Sequence, residues 1–234
     1  ARPHATCSRN LAIAASTISQ NAGKEVFAYV PAGVYDKLNQ LPDTTYNHRY
    51  YVDGSPSMGD AYLDNGNSDS SGWNTVVLGS LGAGGKSIFA LDVTKPDTFS
   101  ENDVLWEFTE SDLGLTFSQP QIAADLPDRW VAIVGNGYNS DDGKAFLYVV
   151  DLASGTQLAK IATNSESNNG LSTPFAFDNN GDKIVDVVYA GDLQGNLWKF
   201  VNTSGAWSLG NGGQPLFTAS NGGNRQPITA QPTA

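Results

Sequence analysis

Oxygen-bearing side chains alternate along residues 178–186, Asp-Asn-Asn-Gly-Asp-Lys-Ile-Val-Asp, at positions 1, 3, 5 and 9 of a nine-residue stretch. Asp178, Asn180, Asp182 and Asp186 are hard oxygen donors, the main-chain carbonyl of Ile184 falls at position 7, and Gly181 can supply a tight turn. That donor set suits Ca²⁺. Three carboxylates drawn to about 5 Å of one another repel by roughly 3 kcal/mol per pair at an effective dielectric of about 20, and a divalent cation turns the repulsion into attraction. A solvated acidic turn needs only one or two such residues to cap its backbone. Four in alternation predict a calcium cage built by Asp178, Asn180, Asp182, the Ile184 carbonyl and Asp186.

The spacing follows an EF-hand calcium loop, shortened. Such a loop has Gly at position 6 and closes with a bidentate Glu at position 12, whereas here Lys183 stands at 6 and Asp186 closes at 9. The flanking elements therefore need not be helices, and an apolar strand-like run follows.

Other chemistry is thin. His4 and His48 are the two histidines, and His48 has no acidic or nucleophilic partner nearby in the sequence. Neither a Gly-x-Ser-x-Gly elbow nor a zinc spacing is present. Leu81 to Gly85 is glycine-rich, but a phosphate cradle requires a helix after it, and here a strand pattern follows. The polar stretch Asp64 to Gly72 has acids only at Asp64 and Asp69, poorly spaced for a cation. Asn136 to Gly143 reads as a hairpin tip, and Asp192 to Trp198 as a hairpin turn packed under Trp198.

The elements that must position the acidic stretch are strands. The chain has 234 residues with 25 Gly, 11 Pro and only 13 Lys plus Arg, the profile of a turn-rich all-β protein. Its net charge of −11 argues against a nucleic-acid partner and against attraction to anionic lipid. With one cysteine, Cys7, no disulfide can form within the chain. No run of 18 or more apolar residues offers a membrane-spanning helix, so no direct membrane insertion is expected. Leu11 to Ile18 is a short Ala-rich patch without the charged start of a signal peptide.

Three sequence markers repeat in phase. A Gly-Lys or Gly-Asn step before an apolar strand occurs at Gly23, Gly85, Gly143 and Gly195, separated by 62, 58 and 52 residues. Apolar runs end at Gly79, Gly135 and Gly191, spaced by 56 and 56. A polar residue precedes Pro56, Pro120, Pro174 and Pro227, where Pro at the first strand residue costs no ladder hydrogen bond. Four strands every 50 to 60 residues predict blades of a β-propeller, a fold a β-sandwich would not imitate with this period. The boundaries read as 1–50 for an incomplete blade, 51–115, 116–170 and 171–222 for fuller ones, and 223–234 for the start of the next, a partial set. Val34 to Leu41 is the best short helix.

Four segments carry a family resemblance: FAYVPAGVYDKL at 27–38, HRYYVDGSPSMGDAY at 48–62, LGSLGAGGKSIFALDVT at 78–94 and IVDVVYAGDLQGNLWKF at 184–200. In this order they resemble the C-terminal domain of the PilY1 family, called PilC in neisserial relatives, across residues 23–232. The resemblance implies a modified, quinoprotein-like propeller exported to the bacterial surface, pilus tip or outer membrane. It implies a non-enzymatic type IV pilus assembly factor and tip-associated adhesin that supports pilus extension, twitching motility and attachment. Type IV pilus subunits or minor pilins and a host-cell or surface receptor would be its partners, and the family's calcium loop maps onto Asp178, Asn180, Asp182, Ile184 and Asp186. No Arg-Gly-Asp triplet is present, so integrin binding does not carry over.

Two other classes compete. A quinoprotein dehydrogenase on a similar propeller would hold a quinone near the axis, but the adjacent Cys pair often found there is missing. A carbohydrate-binding propeller would use Trp73, Trp106, Trp130, Trp198 and Trp207, most of which read as core aromatics in strands.

Overall fold

The computed structural model describes residues 23–64, 72–164 and 166–233. Cys7, His4 and Asp69 lie outside the described residues. Three antiparallel sheets follow one another along the chain, each a meander of neighbours. The first comprises β1 (Ser57–Leu63), β2 (Gly72–Ser80), β3 (Ile88–Asp92) and β4 (Val104–Phe108). The second comprises β5 (Gln121–Leu126), β6 (Arg129–Gly135), β7 (Phe146–Asp151) and β8 (Gln157–Ala162). The third comprises β9 (Phe175–Phe177), β10 (Val187–Gly191), β11 (Asn196–Thr203) and β12 (Ala206–Leu209), with β13 (Phe217–Thr218) pairing the start of β11. A small hairpin, β14 (Ser220–Asn221) and β15 (Asn224–Arg225), follows.

Strand β1 lies against β5 and β5 against β9, while β8 lies against β12. First strands therefore gather at a hub and fourth strands at a rim, the radial order of propeller blades.

Burial explains the composition of the strands. In β6 and β7 successive side chains point to opposite faces. Ala132, Val134, Phe146, Tyr148 and Val150 pack on Leu78, Ile88, Ala90 and Phe108 of the first blade. Val131, Ile133, Leu147 and Val149 pack on Val188, Ala190, Trp198 and Phe200 of the third. Both faces being covered, these strands are continuously apolar. Strand β8 at the rim instead alternates between exposed and half-buried positions. Neighbouring blades approach closely at glycines: a Cβ on Gly135 would stand 2.3 Å from the Ser172 carbonyl oxygen, and one on Gly191 would run into Ile228, 2.3 Å from its Cγ2 and 2.6 Å from its carbonyl oxygen.

The opening segment departs from the sequence reading. Residues 25–30 were expected to form a blade strand, yet among the described residues they join no ladder. Tyr29 and Val34 instead lie face-on over Val77, Leu81, Phe89 and Leu91, so the segment covers a sheet rather than extending one. Two contacts to Glu107 fasten it: the Tyr29 hydroxyl donates to the carboxylate, as does the Ala32 N–H at 2.8 Å. The expected helix is one short turn, a 3-10 segment at Ala32–Val34 running into α1 (Tyr35–Leu38).

Glutamine side chains tie the Pro markers of neighbouring units together. Gln231 Nε2 donates to the Pro174 carbonyl at 2.8 Å, as Gln119 Nε2 donates to that of Pro56 at 2.8 Å. Gln226 N–H closes onto Ala219 O at 2.9 Å beside the small hairpin, and among the described residues 226–233 form no strand.

Of the five tryptophans, Trp106 and Trp198 are buried and Trp130 and Trp207 half-buried. Trp73 is 65% exposed and meets Tyr62 and Trp130 edge-on, so it is not a core aromatic.

Candidate metal centre

Residues 178–186 connect β9 to β10, at the end of the third blade where a two-residue turn, Pro127-Asp128, connects β5 to β6 in the second. The loop is folded by its own polar side chains. Asp178 Oδ1 accepts from the N–H groups of Asn180 at 3.1 Å and Gly181 at 2.7 Å, and its Oδ2 accepts from Lys183 at 2.6 Å. Asn180 Oδ1 accepts from Asp182 N–H and Asp182 Oδ1 from Ile184 N–H, both at 2.8 Å. Asp186 reaches back to the start of the loop: its Oδ2 accepts from Asn179 N–H at 2.8 Å, and Asn180 Nδ2 lies 3.5 Å from its Oδ1. These are nested Asx-turns, each short side chain substituting for a backbone carbonyl.

Two residues take the left-handed backbone the bend demands, Gly181 at φ +84° and Lys183 at φ +70°. For lysine that conformation costs about 1–2 kcal/mol, and the bond from its N–H to Asp178 offsets it. Desolvation is the largest single influence on Asp178 and raises its pKa. The N–H groups of Lys183, Gly181, Asn180 and Asp182 together outweigh it and hold the carboxyl below its ordinary 3.8.

The four predicted side chains therefore sit on one inward-curled loop, and Ile184 pairs in a single parallel bridge with Ala124 of β5. They are not drawn to one point: among the described residues no three His, Cys, Asp or Glu side chains stand as a ready metal-holding group. Their oxygens face backbone N–H groups instead. Among the described residues no carboxylate of this loop is in an ion pair. The donor chemistry, all hard oxygen on a bent loop bearing three acids, fits Ca²⁺.

Sequence reasoning missed the residues that anchor the loop. Val185 N–H donates to Ala124 O at 2.8 Å, and Asn202 N–H in β11 donates to Asp186 O at 2.8 Å. Asn202 Nδ2 donates to Val185 O at 2.9 Å and to Asp125 O at 2.8 Å. Asp125 is fully buried; Arg129 grips it with Nε and Nη2, each at 2.8 Å, and the Trp207 indole donates to it at 3.0 Å. No local motif links these positions, although Ser204-Gly205 after Asn202 is a legible turn.

The separate hairpin at Asp192 is structural, as its sequence indicated. Its buried carboxylate accepts from Asn196 N–H at 2.8 Å and from the Trp198 indole at 2.7 Å.

Radially ordered four-stranded meanders define an all-β propeller. The chain belongs to the PilY1 beta-propeller domain family, which it matches over residues 15–233. It is 44% identical to the type IV pilus biogenesis factor PilY1 of Pseudomonas aeruginosa (strain UCBPP-PA14), over 90% of this chain and 20% of that protein. A PilY1 homolog of Xylella fastidiosa (strain Temecula1) is 42% identical, over 98% of this chain and 17% of that one. The crystal structure of the Pseudomonas aeruginosa PilY1 C-terminal domain superposes with a TM-score of 0.77 at 36% identity, covering 91% of this chain and 46% of that one. The chain spans about a fifth of the length of the curated relatives it matches.

Proposed function

We propose that this propeller is a calcium-binding, non-enzymatic module of a type IV pilus biogenesis factor. It acts at the bacterial surface, pilus tip or outer membrane, with pilus subunits or minor pilins and a host-cell or surface receptor as partners. There it supports pilus extension, twitching motility and attachment. Family membership and the relatives named as type IV pilus biogenesis factors support the pilus reading.

One observation carries the calcium reading. Three carboxylates and an amide curl into a single loop whose negative charge is offset, among the described residues, by backbone N–H groups and by no cationic side chain. A divalent ion bound there satisfies the carboxylates together and stiffens the connection between β9 and β10. An extracellular site of this kind operates near about 10⁻⁴ to 10⁻³ M.

Calorimetric titration of calcium into the unaltered chain and into Asp186→Ala tests it. The unaltered chain is expected to take up calcium in that range, and the variant to bind at least about tenfold more weakly, as loss of a charged ligand requires. Equal affinity in both removes the site.

A further inference from the structure

Asn202 stands where three pieces of the fold meet. Its own N–H holds Asp186 O, and its amide nitrogen is shared between Val185 O of the loop exit and Asp125 O of the second blade. Its amide oxygen accepts from Gly205 N–H at 2.7 Å. All three contacts of the side chain are to main chain, and they span 17, 77 and 3 residues of sequence. Val185, 4% exposed, also donates to Ala124 O, so the last residues of the acidic loop are sewn to β5 of the neighbouring blade. Beyond Asn202, Arg129 Nη2 reaches both Asp125 Oδ2 and Gly205 O, closing a ring of polar contacts between the blades.

We propose that Asn202 is the positioning residue that couples the acidic loop to the junction of the second and third blades, so that calcium binding tightens that junction. This rests on the calcium reading above. Asp186, the closing ligand, cannot move without pulling on Asn202, because the Asn202 main-chain N–H bonds its carbonyl directly and the Asn202 side-chain amide holds the carbonyl of Val185 before it. The coupling is reciprocal by linkage: whatever holds the junction in place raises cation affinity, and the cation holds the junction. Asn202 acts only through Asp186 and Val185 and is not itself a ligand.

Amide hydrogen exchange on the unaltered 234-residue chain, with and without calcium chloride, reads this directly. Calcium is expected to slow exchange within 179–184 and also at Val185, Asn202 and Gly205. In Asn202→Ala we expect calcium affinity to fall at least fivefold and the protection to stop short of Gly205, while Asp186→Ala shows the response only at calcium concentrations at least about tenfold higher. Calcium binding that protects 179–184 but leaves Val185, Asn202 and Gly205 unchanged overturns the coupling and leaves the calcium site standing. That measurement needs no variant, so it decides the matter even if Asn202→Ala does not fold. An unaltered chain that binds no calcium takes down both readings.

Discussion

The second and third blades solve the same connection in opposite ways. Between β5 and β6 the chain turns in two residues, and the carboxylate beside that turn, Asp125, is fully buried and neutralised by Arg129. Between β9 and β10 the chain takes nine residues, three of them acidic and none, among the described residues, in an ion pair. A buried charge must be paired within the fold or it costs several kcal/mol. An exposed loop can leave its charges for water or for an ion from outside. The comparison teaches where the protein fixes its electrostatics permanently and where it leaves them open to the medium.

The hardest test of the closed side of that comparison is Arg129→Ala. It leaves Asp125 buried with the Trp207 indole as its remaining side-chain donor, and loss of one partner from such a pair costs about 3 kcal/mol or more. Chemical denaturation is expected to show that loss with or without calcium; a cost below about 1 kcal/mol, typical of exposed pairs, would place Asp125 among ordinary surface acids. Gly205→Ala probes the turn between β11 and β12 with a smaller effect. Gly205 sits at φ +82° next to Ser204 at φ +50°, the two left-handed residues of a tight hairpin, and a Cβ there would stand 2.5 Å from Arg129 Nη2. We expect a destabilisation of about 1–2 kcal/mol, read from the shift in melting temperature.

The open side is probed by acid. Asp178 has a depressed pKa, so the stability it contributes is present above the ordinary value of 3.8 and is lost as pH falls through its lower folded value. In metal-free buffer the Gly181 and Lys183 amide signals are expected to hold their folded positions down to that ordinary value and to move only below it. Movement already complete near pH 5 would show that the nested turns do not hold the carboxylate.

Much of this was legible. Glycine, proline and apolar runs recur in phase because every blade needs the same strand ends, and the two apolar faces of β6 and β7 are what a strand packed between blades requires. The acidic loop was legible as a loop because its oxygen-bearing residues are contiguous. One reading failed. The 25–30 run has the composition of a strand, but whether it pairs an edge or covers a face depends on where Val77 and Phe89 lie. Asn202 was invisible because it acts across blades, 77 residues from Asp125; Asp125 and Arg129 are four residues apart on one hairpin, and what the sequence does not show is that Asp125 is buried. Most of the tryptophans are buried or half-buried, in keeping with their strand positions, while Trp73 faces out, edge-on to Tyr62 and Trp130.

The contact of Gly135 with the Ser172 and Leu171 carbonyls, side-chain-free on both sides, gives the wheel at this junction a pitch cut to the gauge of the peptide unit itself. The angle from one spoke to the next does not depend on which amino acids decorate the perimeter. Connections between strands can lengthen and change charge, as the nine residues between β9 and β10 do beside the two between β5 and β6, while that junction keeps its dimensions.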